Sequence, residues 1–491
     1  MNSFVLTGSN LTLQKLEEIV YHNTSVSLSP FAQTQMEKSL KLLEKWRKEK
    51  KIIYGFNTGF GSLSDVKIKD QDLLTLQKNL VRSHACGVGL PFSEEEVRAI
   101  VLVRANSLAK GYSGVRPLLV TKLLELLNKN VIPLIPQKGS VGASGDLAPS
   151  AHLALALVGE GEFLKGKIAP IEIQGREGLA LINGTQVMAA LSALNILKAQ
   201  KLALLFDIAS ALSLEAVEGS RKPFHAHLHS IRPHRGQKEV AQRLWKLTEK
   251  SKIQDKHKEC AKVQDAYSFR CIPQVHGSSL DALVFVQKII ETELNSVTDN
   301  PVIFTEEELW ISGGNFHGQY LSQAMDFLSI AMTTLVNISE RRIEKLLDSK
   351  FSGLPPFLAK NEGLESGLML AHVTASSLAS YNKVLSHPAS TDTIPTSGNK
   401  EDHVSMGVHA ALKAREILSH AEDVLAIELL AARQGIELRR PSKTSPDLEK
   451  VMAILEKEIP PITKDRVFSK DILKIKTLYS KILSQLHNIN S

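Results

Sequence analysis

The sequence has 491 residues, of which 43% are hydrophobic and 23% are charged, as is usual for a globular protein. This composition excludes a disordered chain, a collagen-like repeat and a small disulfide-linked scaffold. The net charge of +7 is small for this length, so it predicts no nucleic-acid partner.

The cysteine and histidine patterns predict a protein of a reducing compartment that needs no metal. Cys86, Cys260 and Cys271 include no CxxC pair, and the 16 histidines include no HExxH motif. The N-terminus lacks the basic and apolar regions of a signal peptide. Residues 178–197 carry no charge but contain several polar side chains, which favours a buried helix over a membrane span. We therefore expect a cytoplasmic protein without a membrane partner.

The first part of the chain, residues 1–184, has a mixed pattern. Residues 51–65 and 131–184 are rich in glycine, proline, serine and asparagine, and their apolar runs are short. Such segments are typical of loops and small strands. We expect a small globular region of mixed structure on a partly helical base.

The second part, residues 185–491, is dominated by long segments without glycine or proline. Their residues are good helix formers, and their apolar positions recur at helical spacing. A helix over the longest of them would span about 50 Å. Rods of this length must bury their apolar faces on one another, so the fold should be mainly α with a long central bundle and exposed C-terminal helices. The segments are residues 185–218, 278–300, 319–352, 368–387 and 408–434.

Residues 139–146 are mostly glycine and serine. A helix cap explains Asp146 at the end of this stretch, but not the small residues before it. In a tight loop the amide nitrogen of Gly145 can attack the carbonyl carbon of Ala143, and Gly145 has no side chain to block the approach. Ring closure would release one water, and Ser144 would lose a second one. The product would be a methylidene-imidazolone. The stretch therefore predicts an electrophile made by the chain itself, suited to covalent catalysis.

The Ala-Ser-Gly triad in this setting resembles the aromatic amino-acid ammonia-lyase family, whose members build this prosthetic group, called MIO, from the same three residues. Further motifs of the family follow along nearly the whole chain. The resemblance implies an aspartase/fumarase-like helical fold, in which residues 1–184 carry the triad and residues 185–491 form the bundle of one lyase unit. The matching segments are residues 54–61, 183–186, 264–270, 295–301 and 313–317.

The resemblance also implies roles for individual residues. Tyr267 would be the base that removes a β-proton, and Arg270 would bind the substrate carboxylate with its guanidinium fork. Tyr54 would lie in a mobile loop that covers the site or handles protons. The remaining binding residues would be Asn183 and Gln264, which hold the imidazolone oxygen and the substrate, and Phe316, which lines the pocket.

Two positions resemble the histidine-specific members of the family. Ser83-His84 and Glu401 stand where those members carry Ser-His and Glu, which implies conversion of L-histidine to urocanate. Other positions depart from the family pattern, and they bear on which ring is recognised. These departures are Ala266, Lys400, Tyr381 and the segment at residues 318–320.

Three interpretations of the function stay open at this point. The first is deamination of histidine, and the second is an ammonia-lyase or 2,3-aminomutase acting on tyrosine or phenylalanine. The third is a helical scaffold that binds partners and carries an inert triad. The long apolar rods, together with the resemblance, imply a homotetramer with active sites shared between subunits.

Overall fold

The computed structural model describes residues 3–256 and 263–486, and most of them are helical. The predicted mainly α fold is confirmed. The chain divides into two compact units. The first consists of Met1–Leu197, Val286–Asp326 and Pro388–Leu412, and the second of Lys198–Phe285, Phe327–His387 and Lys413–Ser491. The predicted division after residue 184 concerns sequence regions, and it stays a prediction.

Four long helices contribute residues to both units. They are Gln186–Ala216, Ile272–Leu294, Gln319–Leu347 and Gly407–Leu438. The helix Ile272–Leu294 begins earlier than the expected segment 278–300. Pro273 lies in its first turn, where a backbone amide has no partner within the helix, so the proline does not interrupt the helix. Gly277 lies inside the same helix, and a Cβ atom there would come within 2.4 Å of the Gln237 nitrogen.

The first unit combines shorter helices with small two-stranded sheets. Its other helices are Leu13–His22, Pro30–Lys48, Leu73–His84, Glu94–Ala109, Pro117–Asn128, Leu147–Leu157 and Glu177–Ile182. The parallel strand pair is Phe4–Leu6 with Val26–Leu28. The antiparallel pairs are Val88–Pro91 with Pro136–Lys138, Ile132–Pro133 with Phe163–Lys165, and Val302–Phe304 with Leu309–Ile311.

A hydrophobic cluster in the first unit anchors the segment around Tyr54. Ile53 and Phe56 are buried on either side of this tyrosine, in contact with a core that includes Trp46 and Ile303. The Trp46 ring also packs edge-on against a second tryptophan at 4.8 Å. The backbone next to Tyr54 is therefore held by packing, since burying such side chains stabilises by about 1.5–3 kcal/mol each.

The second unit adds short helices and the C-terminal segment. Its helices are Ala226–Ser230, Arg235–Leu247, Lys252–Lys256, Tyr267–Arg270, Ser349–Ser352, Met369–Leu385, Pro446–Glu458, Phe468–Lys476 and Tyr479–Gln485. The expectation of simply exposed terminal helices was incomplete. These helices are amphipathic, and side chains such as Leu448, Leu455 and Ile482 are fully buried.

A buried polar network joins three of the long helices within the second unit. The Arg342 guanidinium donates to both oxygens of Glu428, at 2.5 and 2.9 Å. The same carboxylate accepts from the hydroxyls of Ser213 at 2.8 Å and Ser339 at 2.5 Å. All four residues are fully buried. The helices are therefore joined by a charge pair whose carboxylate also accepts two hydroxyl hydrogen bonds.

Among the described residues, the helix Gln186–Ala216 is long and apolar enough to cross a membrane. Of its most apolar window, 67% is buried inside the protein, which is typical of a core helix. Cys86 and Cys271 are free thiols, and Cys260 lies outside the described residues. The described ranges contain no group of three or more His, Cys, Asp or Glu side chains placed to hold a metal ion.

Candidate active site

The stretch of small residues forms a tightly packed loop. Gly145 has φ +77°, and it pairs with Gly184 in a parallel bridge. A Cβ atom at position 145 would lie 2.1 Å from the Gly184 oxygen, which also accepts the Asp146 amide at 2.8 Å. Both the left-handed φ and the close approach require glycine at position 145.

The opposite end of the loop is held by a segment that follows Glu401 in the chain. The Ser405 hydroxyl donates to the Gly142 oxygen at 2.9 Å, and the Met406 amide donates to the Val141 oxygen at 2.9 Å. The Ser140 hydroxyl accepts the Gly142 amide at 3.1 Å. The loop is thus fixed on both sides of the Ala-Ser-Gly triad.

The Asp146 side chain caps a different helix from the one expected. It makes no capping bond to the helix Leu147–Leu157 that follows it. One of its oxygens accepts the amides of Val187 and Met188, both at 2.9 Å, and the other accepts the Ser140 hydroxyl at 3.0 Å. It therefore caps the long helix Gln186–Ala216 and ties the loop to it. Burial raises the pKa of Asp146 to about 7, against the effect of these hydrogen bonds.

Ser144 faces a cavity of about 700 Å³ in the first unit. Its hydroxyl donates to Glu401 Oε1 at 2.6 Å, and its carbonyl oxygen accepts from Asn183 Nδ2 at 3.3 Å. Six of the residues proposed from the sequence line this one cavity. They are Tyr54, Ser83, His84, Ser144, Asn183 and Glu401. Ala143 and Gly145 flank Ser144 and are buried.

His84 ends the helix Leu73–His84 at the wall of this cavity. Its Nδ1 lies 3.0 Å from the Ser83 hydroxyl. Burial lowers the pKa of His84, while a backbone hydrogen bond at Leu80 and the charge of Glu401 act in the opposite direction. The net effect favours a neutral imidazole, which can take part in hydrogen bonds both as donor and as acceptor.

The Tyr54 segment packs against the loop that carries Glu401. The Gly61 amide donates to the Tyr54 hydroxyl at 3.3 Å, and the Phe60 ring lies edge-on to the Tyr54 ring at 6.5 Å. A Cβ atom at Gly61 would lie 2.5 Å from the Ser397 hydroxyl. Movement of the Tyr54 loop would therefore change its packing against the loop that holds Glu401.

The other proposed residues do not line this cavity. Phe316 belongs to the first unit, but it is absent from the cavity wall. Gln264 and Arg270 belong to the second unit and line a separate cavity of about 880 Å³. The Tyr267 ring is 70% exposed, and the Arg270 guanidinium carbon lies 4.5 Å from its centroid. Arg270 Nε is buried and has no hydrogen-bond partner among the described residues.

The residues around the triad fit a methylidene-imidazolone. The carbonyl oxygen of Ser144 is the one that such a ring would keep, and it already accepts from Asn183. Asn183 Oδ1 is buried and has no hydrogen-bond partner within the described part of the chain. Gly145 offers the ring-closing nitrogen without a Cβ atom in the way.

Several supporting residues were not assigned a role from the sequence. Gly184 lies inside the matching segment 183–186, and Ser405 lies four residues after Glu401, so these positions were the signals that could have found them. The contact between Asp146 and the distant amides carried no sequence signal. Lys400 is exposed, and it makes no hydrogen bond or ion pair with Glu401 in the described structure.

Comparison with known proteins gives a consistent result. The family model described as aromatic amino acid lyase matches residues 11–457. A histidine ammonia-lyase of Geobacillus sp. (strain WCH70) is 49% identical over 481 residues, which cover 95% of this chain and 94% of that protein. The solved structure of histidine ammonia-lyase from Trypanosoma cruzi has a TM-score of 0.92 and 40% identity, covering 100% of this chain and 96% of that one. The solved structure of tyrosine aminomutase from Streptomyces globisporus has a TM-score of 0.94 and 36% identity, covering 100% of this chain and 99% of that one.

The matches to ammonia-lyases over nearly the whole chain show a carbon–nitrogen lyase rather than an inert scaffold. The chain belongs to the aromatic amino acid lyase family, since the family match spans most of its length. The resemblance inferred from the motifs is confirmed, and so is the similarity to histidine ammonia-lyases.

Proposed function

We propose that the protein removes ammonia from L-histidine to give trans-urocanate. The observation that carries this proposal is that His84 and Glu401 line the same cavity as Ser144. A neutral imidazole has one donor and one acceptor nitrogen, and leaving either unpaired in a buried site costs about 1–3 kcal/mol. Glu401 accepts from one ring nitrogen, and His84 contacts the other. A hydrocarbon ring would leave Glu401 and His84 without hydrogen-bond partners, so phenylalanine is rejected.

The proposed electrophile forms from Ala143, Ser144 and Gly145. The Gly145 nitrogen bonds to the Ala143 carbonyl carbon, and the Ala143 oxygen leaves as water with the amide hydrogens of Ser144 and Gly145. Ser144 then loses its hydroxyl and its α-hydrogen as a second water, which leaves a methylene group. The proposal is supported by the close packing of Gly145 on Gly184 and by the hydrogen bond from Asn183 to Ser144.

The prosthetic group supplies an electrophilic methylene for the substrate amino group, which none of the ordinary side chains offers. Tyr267 takes the β-proton, and Arg270 binds the substrate carboxylate through its fork of donors. Tyr54 closes over the site or handles protons at the Ser144 cavity. Asn183 holds the ring oxygen. Two further residues assist in binding, namely Gln264 toward the substrate and Phe316 as part of the pocket wall.

We further propose a homotetramer with shared active sites. Large apolar side chains are exposed on the helices of the second unit, among them Phe327, Leu370 and Val384. Exposed apolar groups on helical faces are typical of surfaces covered by another copy. In such an assembly, residues such as Tyr54 and Arg270 need not come from one subunit. Light scattering should give four subunits, and a fully active monomer would contradict this proposal.

The proposed enzyme needs neither a metal nor a dissociable cofactor, and its partner is the amino-acid substrate. No nucleic-acid or membrane partner is proposed. We place it in the cytoplasm, and the free thiols of Cys86 and Cys271 support a reducing compartment.

The purified protein should be incubated separately with histidine, tyrosine and phenylalanine while the ultraviolet absorbance is followed. Appearance of urocanate with histidine alone is the expected result. The structural similarity to tyrosine aminomutase favours a second candidate, rearrangement of tyrosine to its β-amino isomer. Coumarate, cinnamate or a β-amino acid without urocanate would contradict the histidine assignment.

A further inference from the structure

The loop that carries Glu401 has an unusual backbone. Thr396 and Glu401 form an antiparallel bridge in which each amide donates to the other's carbonyl oxygen, at 3.0 and 3.3 Å. Between them, Ser397, Gly398 and Asn399 all have positive φ, at 53°, 61° and 66°. Left-handed conformations at non-glycine residues persist only where the surroundings hold them, and they cluster at functional sites.

The two carboxylate oxygens of Glu401 have different partners. Oε1 accepts from the Ser144 hydroxyl at 2.6 Å, whereas Oε2 accepts from the Thr396 hydroxyl at 2.7 Å. The proposed maturation removes the Ser144 hydroxyl as water, so Oε1 would lose this donor and become available to a ligand in the cavity. The bond from Thr396 involves no atom of the triad and would persist.

We propose that Thr396 is a positioning residue that orients the Glu401 carboxylate for the substrate ring. Its hydroxyl occupies Oε2, so that Oε1 is the oxygen directed to the ligand. The bridge fixes the backbone of Thr396, and the β-branched side chain has few accessible rotamers, so the hydroxyl is held in place before substrate arrives. This inference rests on the proposed role of Glu401.

The test is a double-mutant cycle on the wild type, T396V, E401Q and T396V/E401Q. Valine keeps the shape of threonine and both backbone hydrogen bonds, and it removes only the hydroxyl. T396V should lower kcat/KM for histidine about tenfold, which corresponds to about 1.4 kcal/mol. T396S, which keeps the hydroxyl, should recover most of this loss. Adding T396V to E401Q should cause almost no further loss, because the carboxylate through which Thr396 acts is already absent.

Rescue by T396S separates orientation of the carboxylate from general damage, because serine keeps the hydroxyl that donates to Glu401 and valine does not. Intact mass should still show the loss of two waters in T396V. The matched control is Thr391→Val, because Thr391 is exposed on the same segment and its hydroxyl bonds only to the Pro388 carbonyl oxygen among the described residues.

A T396V enzyme with wild-type kcat/KM would overturn the inference, and so would a T396S enzyme no more active than T396V. So would losses that add fully in the double variant, since Thr396 would then act independently of Glu401. If wild-type protein turns over another amino acid instead of histidine, the proposed function fails. The same cycle measured on that substrate still decides whether Thr396 acts through Glu401.

Discussion

Two completely buried arginines, one chosen from each unit, differ in their partners. In the second unit, the nitrogens of Arg342 meet the Glu428 carboxylate and His276. In the first unit, Arg104 lies next to Gly184. None of its three side-chain nitrogens has a hydrogen-bond partner in the described structure. Burial lowers the pKa of Arg104 to about 10, while the charge of Asp299 opposes this shift.

We interpret this difference as one between the structural region around Arg342 and the proposed reactive region around Ser144. Buried polar groups are nearly always paired, so the network of Arg342 is the ordinary solution for a helical core. Near the triad, Arg104, Asn183 and Gln186 all keep buried polar atoms without partners among the described residues. Such exceptions call for a functional reason, and the proposed chemical rebuilding of the loop would supply one.

The largest effect is expected in the reactive region. Ser144→Ala removes the hydroxyl that would leave in the proposed second dehydration, so the protein should keep its full encoded mass. Activity should fall by about 10⁴-fold or more, as expected for loss of a covalent catalytic group. Intact-mass spectrometry and the urocanate assay measure the two outcomes. Ser278→Ala, at an exposed serine of the second unit, should still lose two waters. Active wild-type protein with the unmodified mass would refute the mechanism.

The structural region should respond in stability. Arg342→Met leaves the Glu428 carboxylate buried without its charge partner, which should cost about 3–5 kcal/mol. The midpoint of urea unfolding measures this effect. The neighbouring Arg341 is largely exposed, so Arg341→Met should cost less than about 1 kcal/mol. Arg104→Met should be milder than Arg342→Met, because no hydrogen bond is lost. An equal or larger loss for Arg104→Met would remove the contrast between the two regions.

Substrate recognition should show an intermediate effect. His84→Phe and Glu401→Gln should each lower kcat/KM for histidine by at least about tenfold, equivalent to 1.4 kcal/mol. Each removes a group proposed to pair with a ring nitrogen. Lys400→Gln is the matched control, because Lys400 is exposed beside Glu401 and should change kcat/KM by no more than about twofold. Steady-state rates with histidine measure these effects. A larger loss for Lys400→Gln than for Glu401→Gln would contradict the proposed role of Glu401 in ring recognition.

The smallest effect concerns pH and the buried network. Burial is the main cause that lowers the pKa of His276, and the guanidinium of Arg342 adds to it, while Asp207 and Glu428 act in the opposite direction. The folded protein therefore takes up this proton less readily than the unfolded chain, whose histidine has a pKa of about 6.5. Stability from this residue is full above that pH and falls as the pH drops below it, by up to about 1.4 kcal/mol per pH unit.

His276→Gln should flatten this dependence in urea unfolding measured across the range from about pH 5 to 8. The exposed His227→Gln should leave the slope unchanged. An unchanged slope in His276→Gln would show that another group controls the acid sensitivity of the fold.

The sequence alone determined the helical class and the family, and it predicted the reactive triad. Long segments without glycine or proline allow few structures other than helices, and the small residues packed around Ser144 suit ring closure better than they suit a plain loop. Local patterns of this kind depend on neighbours in the chain, which the sequence displays directly. The start of the helix Ile272–Leu294 was placed too late, because a proline in the first turn does not interrupt a helix.

Only the tertiary structure decided which distant residues meet. The bonds from Val187 to Asp146, from Ser405 to Gly142 and from Thr396 to Glu401 each follow from how the loops pack. The buried charge pair of Arg342 and Glu428 joins two helices through residues that are 86 positions apart in the chain. Hydrogen bonds and burial depend on distances across the fold, and no local spacing in the sequence encodes them, so the partner of each functional carboxylate became visible only in three dimensions.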